Sequence, residues 1–289
     1  MDHKSSPTLT EVLQSASVFL EQAGMDGNLA RTYWLMTFDW TLTELVRQLR
    51  AEVLPDQLAR YQTVLQRIIA HEPIQYILGY ADFMGERFKV TPDTLIPRED
   101  SAGLVVMAND YLAKNPTARV LDIGTGTGIL AISIAKNNAS AQVSAVDLSA
   151  AALTVAKENA QLHGTELAFY QGDGCAPLPV GQRYEVIVSN PPYISRAERE
   201  LMDESVKRYE PELALFAEQD GLAFYQQLAQ ELPERIQPQG MILLEIGFRQ
   251  GQAVLALFQR AFPQAEITIL PDLNAQDRYV KIQLGKESS

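Results

Sequence analysis

Four consecutive residues, Asn190-Pro191-Pro192-Tyr193, carry groups suited to handling an amino group. Asn190 offers a side-chain carbonyl. Pro191 has no N–H, so its C=O is the only hydrogen-bonding group its backbone contributes. Tyr193 offers a flat face with a polar tip. Two acceptors and a platform suit a planar –NH2 group, holding both hydrogens while its nitrogen faces a reagent. The same tetrapeptide also reads as an ordinary Asn-Pro turn, so its setting matters. It follows Tyr184–Ser189 (YEVIVS), an apolar β-rich run, and so sits where a buried strand empties into a loop. An open α/β sheet places its ligands there.

Upstream lies a glycine loop. Residues 118–123 (ARVLDI) predict a short buried strand ending near Asp122, followed by Gly124-Thr125-Gly126-Thr127-Gly128. Ile129, Ile132, Ser133 and Ala135 then fall at helical spacing. Glycines are needed where backbone turns with positive φ or lets a ligand approach closely. The dinucleotide fingerprint is G-x-G-x-x-G, whereas here the third glycine comes one residue early. The triphosphate-loop pattern G-x-x-x-x-G-K-[ST] is absent. Strand, Asp-Ile-Gly-Thr-Gly-Thr-Gly and helix together resemble the S-adenosylmethionine site of a Rossmann-like methyltransferase. A second strand over 142–146 ends at Asp147, an acid placed to accept from both ribose hydroxyls. Leu148 and Ser149 open the next helix, with Ser149 as N-cap and Gly164 as its stop. A third strand over 167–171 leads to Gly172-Asp173-Gly174, with Asp173 available to the adenine amino group. Asp is common in turns, but three acids at successive strand ends form a pattern.

The elements that must position these groups follow from composition and period. A chain of 289 residues, 46% hydrophobic and 21% charged, has the make-up of a soluble globular protein with room for two domains. The net charge is −12, and no run of Lys and Arg appears, which disfavours direct nucleic-acid binding. One cysteine, Cys175, permits no internal disulfide and fits a reducing compartment. Cys175 reads as a small, partly buried residue near the third strand. His3, His71 and His163 are scattered, with no metal-ligand spacing, so no metal is expected. The N-terminus lacks a secretory pattern and no stretch is long enough to span a bilayer; a cytoplasmic, monomeric protein is expected.

Up to about residue 72 no strand signal appears. Thr8 and Glu11 predict a capping box ahead of an amphipathic helix that ends before Gly24. Further amphipathic helices over 29–40, 42–51 and 56–71 predict a small bundle, with Trp34 and Trp40 in its core. Residues 73–97 read as a linker with a β-hairpin around Met84-Gly85-Glu86. From there strands and helices alternate through later strands at 240–246, 265–270 and 279–284, which predicts an α/β domain over 98–289 with a mostly parallel sheet.

Taken together the segments resemble the release-factor glutamine-N5 methyltransferases, the HemK/PrmC family. The resemblance rests on Gln75-Tyr76-Ile77-Leu78-Gly79, Leu95-Ile96-Pro97-Arg98, the stretch from Val120 to Gly128, Asp147, Asn190 to Tyr193, Tyr209-Glu210-Pro211, Asp220-Gly221-Leu222, Glu245-Ile246-Gly247 and Asp277-Arg278. It implies a five-helix N-terminal domain that recognises substrate, a linking hairpin, and a Rossmann-like class I domain whose seven-stranded sheet has its last strand antiparallel. It implies cofactor contacts at Asp122, Gly124, Thr125, Gly126, Thr127, Gly128, Asp147, Leu148, Asp173, Gly174 and Asn190, and catalysis at Asn190, Pro191, Pro192 and Tyr193. The implied partners are class I peptide chain release factors, methylated on the glutamine of their Gly-Gly-Gln loop, with S-adenosylhomocysteine as second product. Two departures stand out. After Ile-Pro-Arg the family commonly reads Pro-Glu/Asp-Thr-Glu, against Glu99-Asp100-Ser101-Ala102 here. After the third-strand Asp many members have Trp, where this chain has Gly174, so a wall of the adenine pocket is missing or supplied elsewhere.

A glutamine amide nitrogen is a poor nucleophile because its lone pair is delocalised into the carbonyl. Orientation is what helps: Asn190 Oδ1 and the Pro191 carbonyl accept the two N–H groups, and Tyr193 packs on the amide plane. Holding reactants in line contributes about 7–11 kcal/mol in favourable cases. Glu245, at the end of an apolar strand, requires a partner, read as backbone or Arg. Arg98 and Arg278 read as ion-pair partners. The alternative reading is an adenine-N6 methyltransferase acting on DNA or RNA, which shares Asn190 to Tyr193. The acidic balance and the lack of a basic recognition segment count against it.

Overall fold

The computed structural model describes residues 6–285, so His3 and the last polar residues lie outside it. The chain forms two compact units, Met1–Gly79 with Asp203–Tyr209, and Tyr80–Met202 with Glu210–Ser289. No helix among the described residues is long and apolar enough to cross a membrane.

The first unit is helical: Leu9–Gln22, Leu29–Phe38, Leu42–Gln48, Pro55–Ile69 and Ile74–Leu78, joined by the later Glu204–Tyr209. Capping boxes start two of these. Glu11 Oε2 accepts from Thr8 N at 2.7 Å, and Glu44 Oε2 from Thr41 N at 2.7 Å. The second helix stops short of Trp40, because Asp39 takes a left-handed φ of 56° and Trp40 N donates back to Leu35 O at 2.9 Å. Leu9, Val12, Leu20, Trp34, Tyr61 and Ile68 are buried in one core, where Trp34 stacks on Phe38 and Trp40. Tyr61 donates its hydroxyl to Ala30 O at 2.8 Å, which settles the one polar atom that its burial would otherwise strand. Tyr209 Oη donates to Ala70 O at 3.0 Å, tying the late helix to the end of the fourth. Residues 73–97 are therefore divided, the fifth helix going to this unit and the hairpin to the other.

The second unit contains a hairpin, β1 (Tyr80–Phe83) and β2 (Glu86–Lys89), and a sheet of β3 (Arg119–Ile123), β4 (Gln142–Asp147), β5 (Ala168–Gln171), β6 (Tyr184–Ser189), β7 (Ile236–Glu245), β8 (Glu266–Pro271) and β9 (Asp277–Gln283). The sheet order is β5-β4-β3-β6-β7-β9-β8. β5 through β7 pair in parallel, and β9, last in the chain, inserts antiparallel between β7 and β8. Central strands are buried on both faces, as parallel sheets flanked by helices require. Strand order reverses between β3 and β6, so the two neighbouring strands send their following loops apart. Pairing stops at Asp122 opposite Val188, and beyond it Ser189 Oγ donates to Ile123 O at 2.6 Å, joining the two strand ends. A crevice opens there, at the topological switch point.

Candidate active site

A cavity of about 310 Å³ lies over the C-terminal ends of the parallel strands, within the size range of small-molecule sites. Its wall includes Gly124 to Thr127, Asp147, Leu148, Asp173, Gly174, Asn190 and Pro192, so the two motifs far apart in sequence share one space.

The glycine loop is shaped by its backbone. Gly124, Gly126 and Gly128 have φ of 74°, 55° and 85°, a region costly for any other residue. A Cβ on Gly124 or Gly126 would meet no protein atom within 4 Å, so both leave open space at the wall of the cavity. Gly128 has a different reason. A Cβ there would come 2.8 Å from Ile132 Cδ1 and 3.3 Å from Ala156 Cβ, so its absence lets two helices pack. Gly128 is not among the cavity-lining residues. Asn159, fully buried, donates to Thr127 O at 2.8 Å and exchanges bonds with the Lys89 backbone, fastening the loop to the end of β2.

Asp147 is held by both oxygens. Oδ2 accepts from Gly126 N and Oδ1 from Ser149 N, each at 2.8 Å. Burial raises its pKa and these bonds oppose the rise. Each oxygen keeps a lone pair for a ligand hydroxyl. Asp173 is exposed at the rim, with Oδ1 accepting from Gln227 Nε2 at 3.0 Å. Gly174 sits at φ 49°, a backbone conformation that strains any other residue, and a Cβ there would come 2.4 Å from Glu231 Oε2 and 2.6 Å from Gln227 Nε2, displacing those side-chain ends. The helix carrying Gln227 contributes Phe224 to the cavity instead, and Leu148, half exposed, adds apolar wall. Cavity glycines without crowding, a fixed carboxylate and an apolar wall fit a nucleoside-bearing cofactor such as S-adenosylmethionine.

Besides Gly128, three expected site residues do not line the cavity. Asp122 is completely buried beneath the loop, where Oδ2 accepts from Thr125 Oγ1 at 2.6 Å and Ala131 N at 3.3 Å. Its neighbour Ile123 takes the cavity side, because successive strand residues face opposite ways. Burial pushes the Asp122 carboxyl up to about 7. Tyr193 turns its ring away from the cavity, with its hydroxyl 3.5 Å from Glu245 Oε1. Burial first, and then the Glu245 charge, pushes it up to about 12. Pro191 is buried, yet no donor is bonded to its carbonyl among the described residues.

Asn190 does reach the cavity, and distant residues hold it. Its Nδ2 donates to Ser101 Oγ at 3.0 Å, and Ser101 Oγ donates to Glu245 Oε2 at 2.7 Å. Glu245 thus binds a serine hydroxyl, where backbone or arginine is the sequence expectation. The following turn is clamped: Gln250 Nε2 donates to Tyr193 O at 2.9 Å, and a Cβ on Gly221 would stand 2.1 Å from that same oxygen. Gly221, at φ 81°, closes a run in which Gln219 and Asp220 are also left-handed. Glu210, buried, accepts from Ile96 N at 3.2 Å and pairs with Arg98, which joins two sequence motifs beside the cavity. Arg278 pairs with Asp100 and Asp272 at 3.3 and 3.2 Å. Cys175 is buried, its thiol raised by burial to about 12, and among the described residues no group of three His, Cys, Asp or Glu side chains is arranged to hold a metal. Ser101 and Gln250 carry no short-range sequence signal for this role.

Residues 11–79 match the family model described as PrmC N-terminal domain, and residues 100–212 match the Methyltransferase small domain. The chain is 42% identical over 270 residues to a protein of Enterococcus faecalis named release factor glutamine methyltransferase, covering 93% of this chain and 96% of that one. A Bacillus subtilis protein of the same name is 36% identical over 278 residues, covering 94% and 96%. The crystal structure of a methyltransferase from Pyrococcus furiosus, 15% identical, superposes with a TM-score of 0.50 over 78% of this chain and 100% of that one, a likeness of fold. A methyltransferase domain calls for a methyl donor of the S-adenosylmethionine type. With full-length relatives at this level of identity, the chain belongs to the release factor glutamine methyltransferase family.

Proposed function

We propose that this protein transfers a methyl group from S-adenosylmethionine to the side-chain N5 of the glutamine in the Gly-Gly-Gln loop of class I peptide chain release factors, leaving S-adenosylhomocysteine. The observation that carries this reading is Asn190: its Nδ2 is taken by Ser101 while its residue lines the cavity that the glycine loop and Asp147 also line. Gly124 to Thr127 and Asp147 hold the cofactor, with Asp147 accepting its ribose hydroxyls and Asp173 its adenine amino group. The bound cofactor supplies an electrophilic methyl on a sulfonium.

Asn190 Oδ1 accepts one N–H of the target amide, and the Pro191 carbonyl accepts the other. The two acceptors turn the nitrogen toward the methyl and stabilise positive charge developing on it. The nitrogen becomes strongly acidic once alkylated, so the site requires no strong base. Tyr193 supports this loop from below instead of stacking on the amide. The helical unit, with its own core, contributes recognition of the release factor; a chain lacking it that still folds and binds cofactor should lose activity on the intact factor.

The test is incubation of the protein with labelled S-adenosylmethionine and a purified release factor, its loop Gln→Ala variant, and DNA and RNA as controls. Label on the wild-type factor alone, located by mass spectrometry at the glutamine, supports the reading. Label on adenine would replace it with the adenine-N6 alternative.

A further inference from the structure

The polar atoms behind Asn190 form a hydrogen-bond chain with a fixed direction. Glu245 is 1% exposed and Ser101 fully buried, so neither can turn to water. A serine hydroxyl has one hydrogen. Directed at Glu245 Oε2, it leaves Ser101 Oγ only able to accept, and what it accepts is an N–H of Asn190. Nδ2 of Asn190 is thereby committed to Ser101, and Oδ1 must point elsewhere. The register brings these groups together: Ser189 pairs with Leu244, so the next residues, Asn190 and Glu245, leave neighbouring strand ends side by side. Ser101 reaches them from the turn before the helix Ala102–Leu112.

We propose that Ser101 and Glu245 are a positioning pair for methyl transfer, fixing the orientation of the Asn190 amide so that its oxygen, and not its NH2, meets the target amide. This rests on the reading of Asn190 given above. Neither residue touches the reacting atoms; both act through Asn190.

A carboxylate is what gives the chain its direction. A proton on Glu245 would donate to Ser101 Oγ, release the serine hydrogen toward Asn190 Oδ1, and present Nδ2 to the target N–H, donor against donor. Burial pushes Glu245 up to about 7; Ser101, Arg278 and Tyr193 oppose the rise and Asp100 adds to it. Other groups facing it are Tyr225 and Tyr279, both raised, so the three tyrosines stay neutral near pH 7 while Arg278 stays charged. Carboxylate is lost as pH falls through about 7, and transfer falls with it.

The test is single-turnover transfer to the intact release factor at saturating cofactor. Ser101→Ala should slow transfer about tenfold to a hundredfold, the scale of a misaimed reacting group, with KM for the release factor unchanged. Ser101→Thr, which keeps the hydroxyl, should stay within a few-fold of wild type. In an Asn190→Ala background, Ser101→Ala should cost nothing more, since coupled residues are not additive. The wild-type rate should rise between pH 6 and pH 8, and Glu245→Gln should be slow and flat. As a readout independent of turnover, the side-chain 15N resonance of Asn190 should shift with pH near 7 in wild type and not in Glu245→Gln; this also decides the matter if Ser101→Ala fails to fold. A wild-type rate for Ser101→Ala with an inactive Asn190→Ala, or losses that add in the double variant, would overturn the pair alone. A wild-type rate for Asn190→Ala would instead overturn the underlying reading.

Discussion

The two ends of the cavity are built on different principles. At the β3/β4 end Asp147 is fixed by Ser149, two residues on, and by the glycine loop it faces across one parallel pair. At the β6 end the Asn190 loop is held from far away. Ser101 lies 89 residues before Asn190, Gln250 lies 57 after Tyr193, and Gly221 leaves no space for a Cβ beside the Tyr193 carbonyl. The Asp147 carboxylate is set by one strand pair and its adjoining turns, whereas the substrate end exists only when the whole sheet is assembled. Damage at the first should appear as lost binding, and damage at the second as lost rate.

The sharpest way to break this contrast is Gly221→Ala. The variant puts a methyl at φ 81° and 2.1 Å from Tyr193 O, so the loop must move. Displacement of about 1 Å costs on the order of 10²-fold in rate; single-turnover transfer should show at least that, while calorimetry with S-adenosylhomocysteine should be little changed. Asp147→Ala should do the opposite. Loss of a charged acceptor weakens binding by about 1.5–3 kcal/mol, roughly ten- to 150-fold in Kd, and the remaining rate should recover at saturating cofactor.

Asp122, under the loop, predicts a pH effect on stability. Its folded pKa of about 7 lies above the unfolded value of about 3.9. Its contribution is therefore full below the unfolded pKa and lost as pH rises through about 7. Thermal melts of wild type should fall more between pH 5 and pH 8.5 than those of Asp122→Asn, which stays neutral; equal slopes would show that Asp122 does not titrate. The smallest effect belongs to the helical unit. Thr8→Ala removes an N-cap and should cost about 1 kcal/mol of stability, with cofactor affinity unmoved.

What could be read in the sequence follows the same division. The capping box at Thr8, the N-cap at Ser149, the glycine loop and β6 rest on short-range chemistry, and the structure has them where the pattern puts them. Asp122 and Tyr193 misled because a position at or just past a strand end does not reveal which way a side chain turns. Asp122 turned under the loop and Tyr193 turned toward Glu245. Helix 29–38 ended early because Asp39 went left-handed, a choice that amphipathic spacing does not register. The Glu204–Tyr209 helix, grouped with the first unit despite lying after β6, depends on packing that only the assembled chain defines.

The central claim is that Asn190 acts chiefly by aiming the target amide and contributes little to cofactor affinity. The most direct test is Asn190→Ala, measured as single-turnover methyl transfer to the release-factor glutamine at saturating S-adenosylmethionine, with calorimetric binding of S-adenosylhomocysteine alongside. Losing one oriented group of this kind costs about 10²–10³ in rate, so transfer should fall by that factor while cofactor affinity stays within a few-fold. Transfer at the wild-type rate would contradict the account and leave Asn190 to Tyr193 as nothing more than a turn.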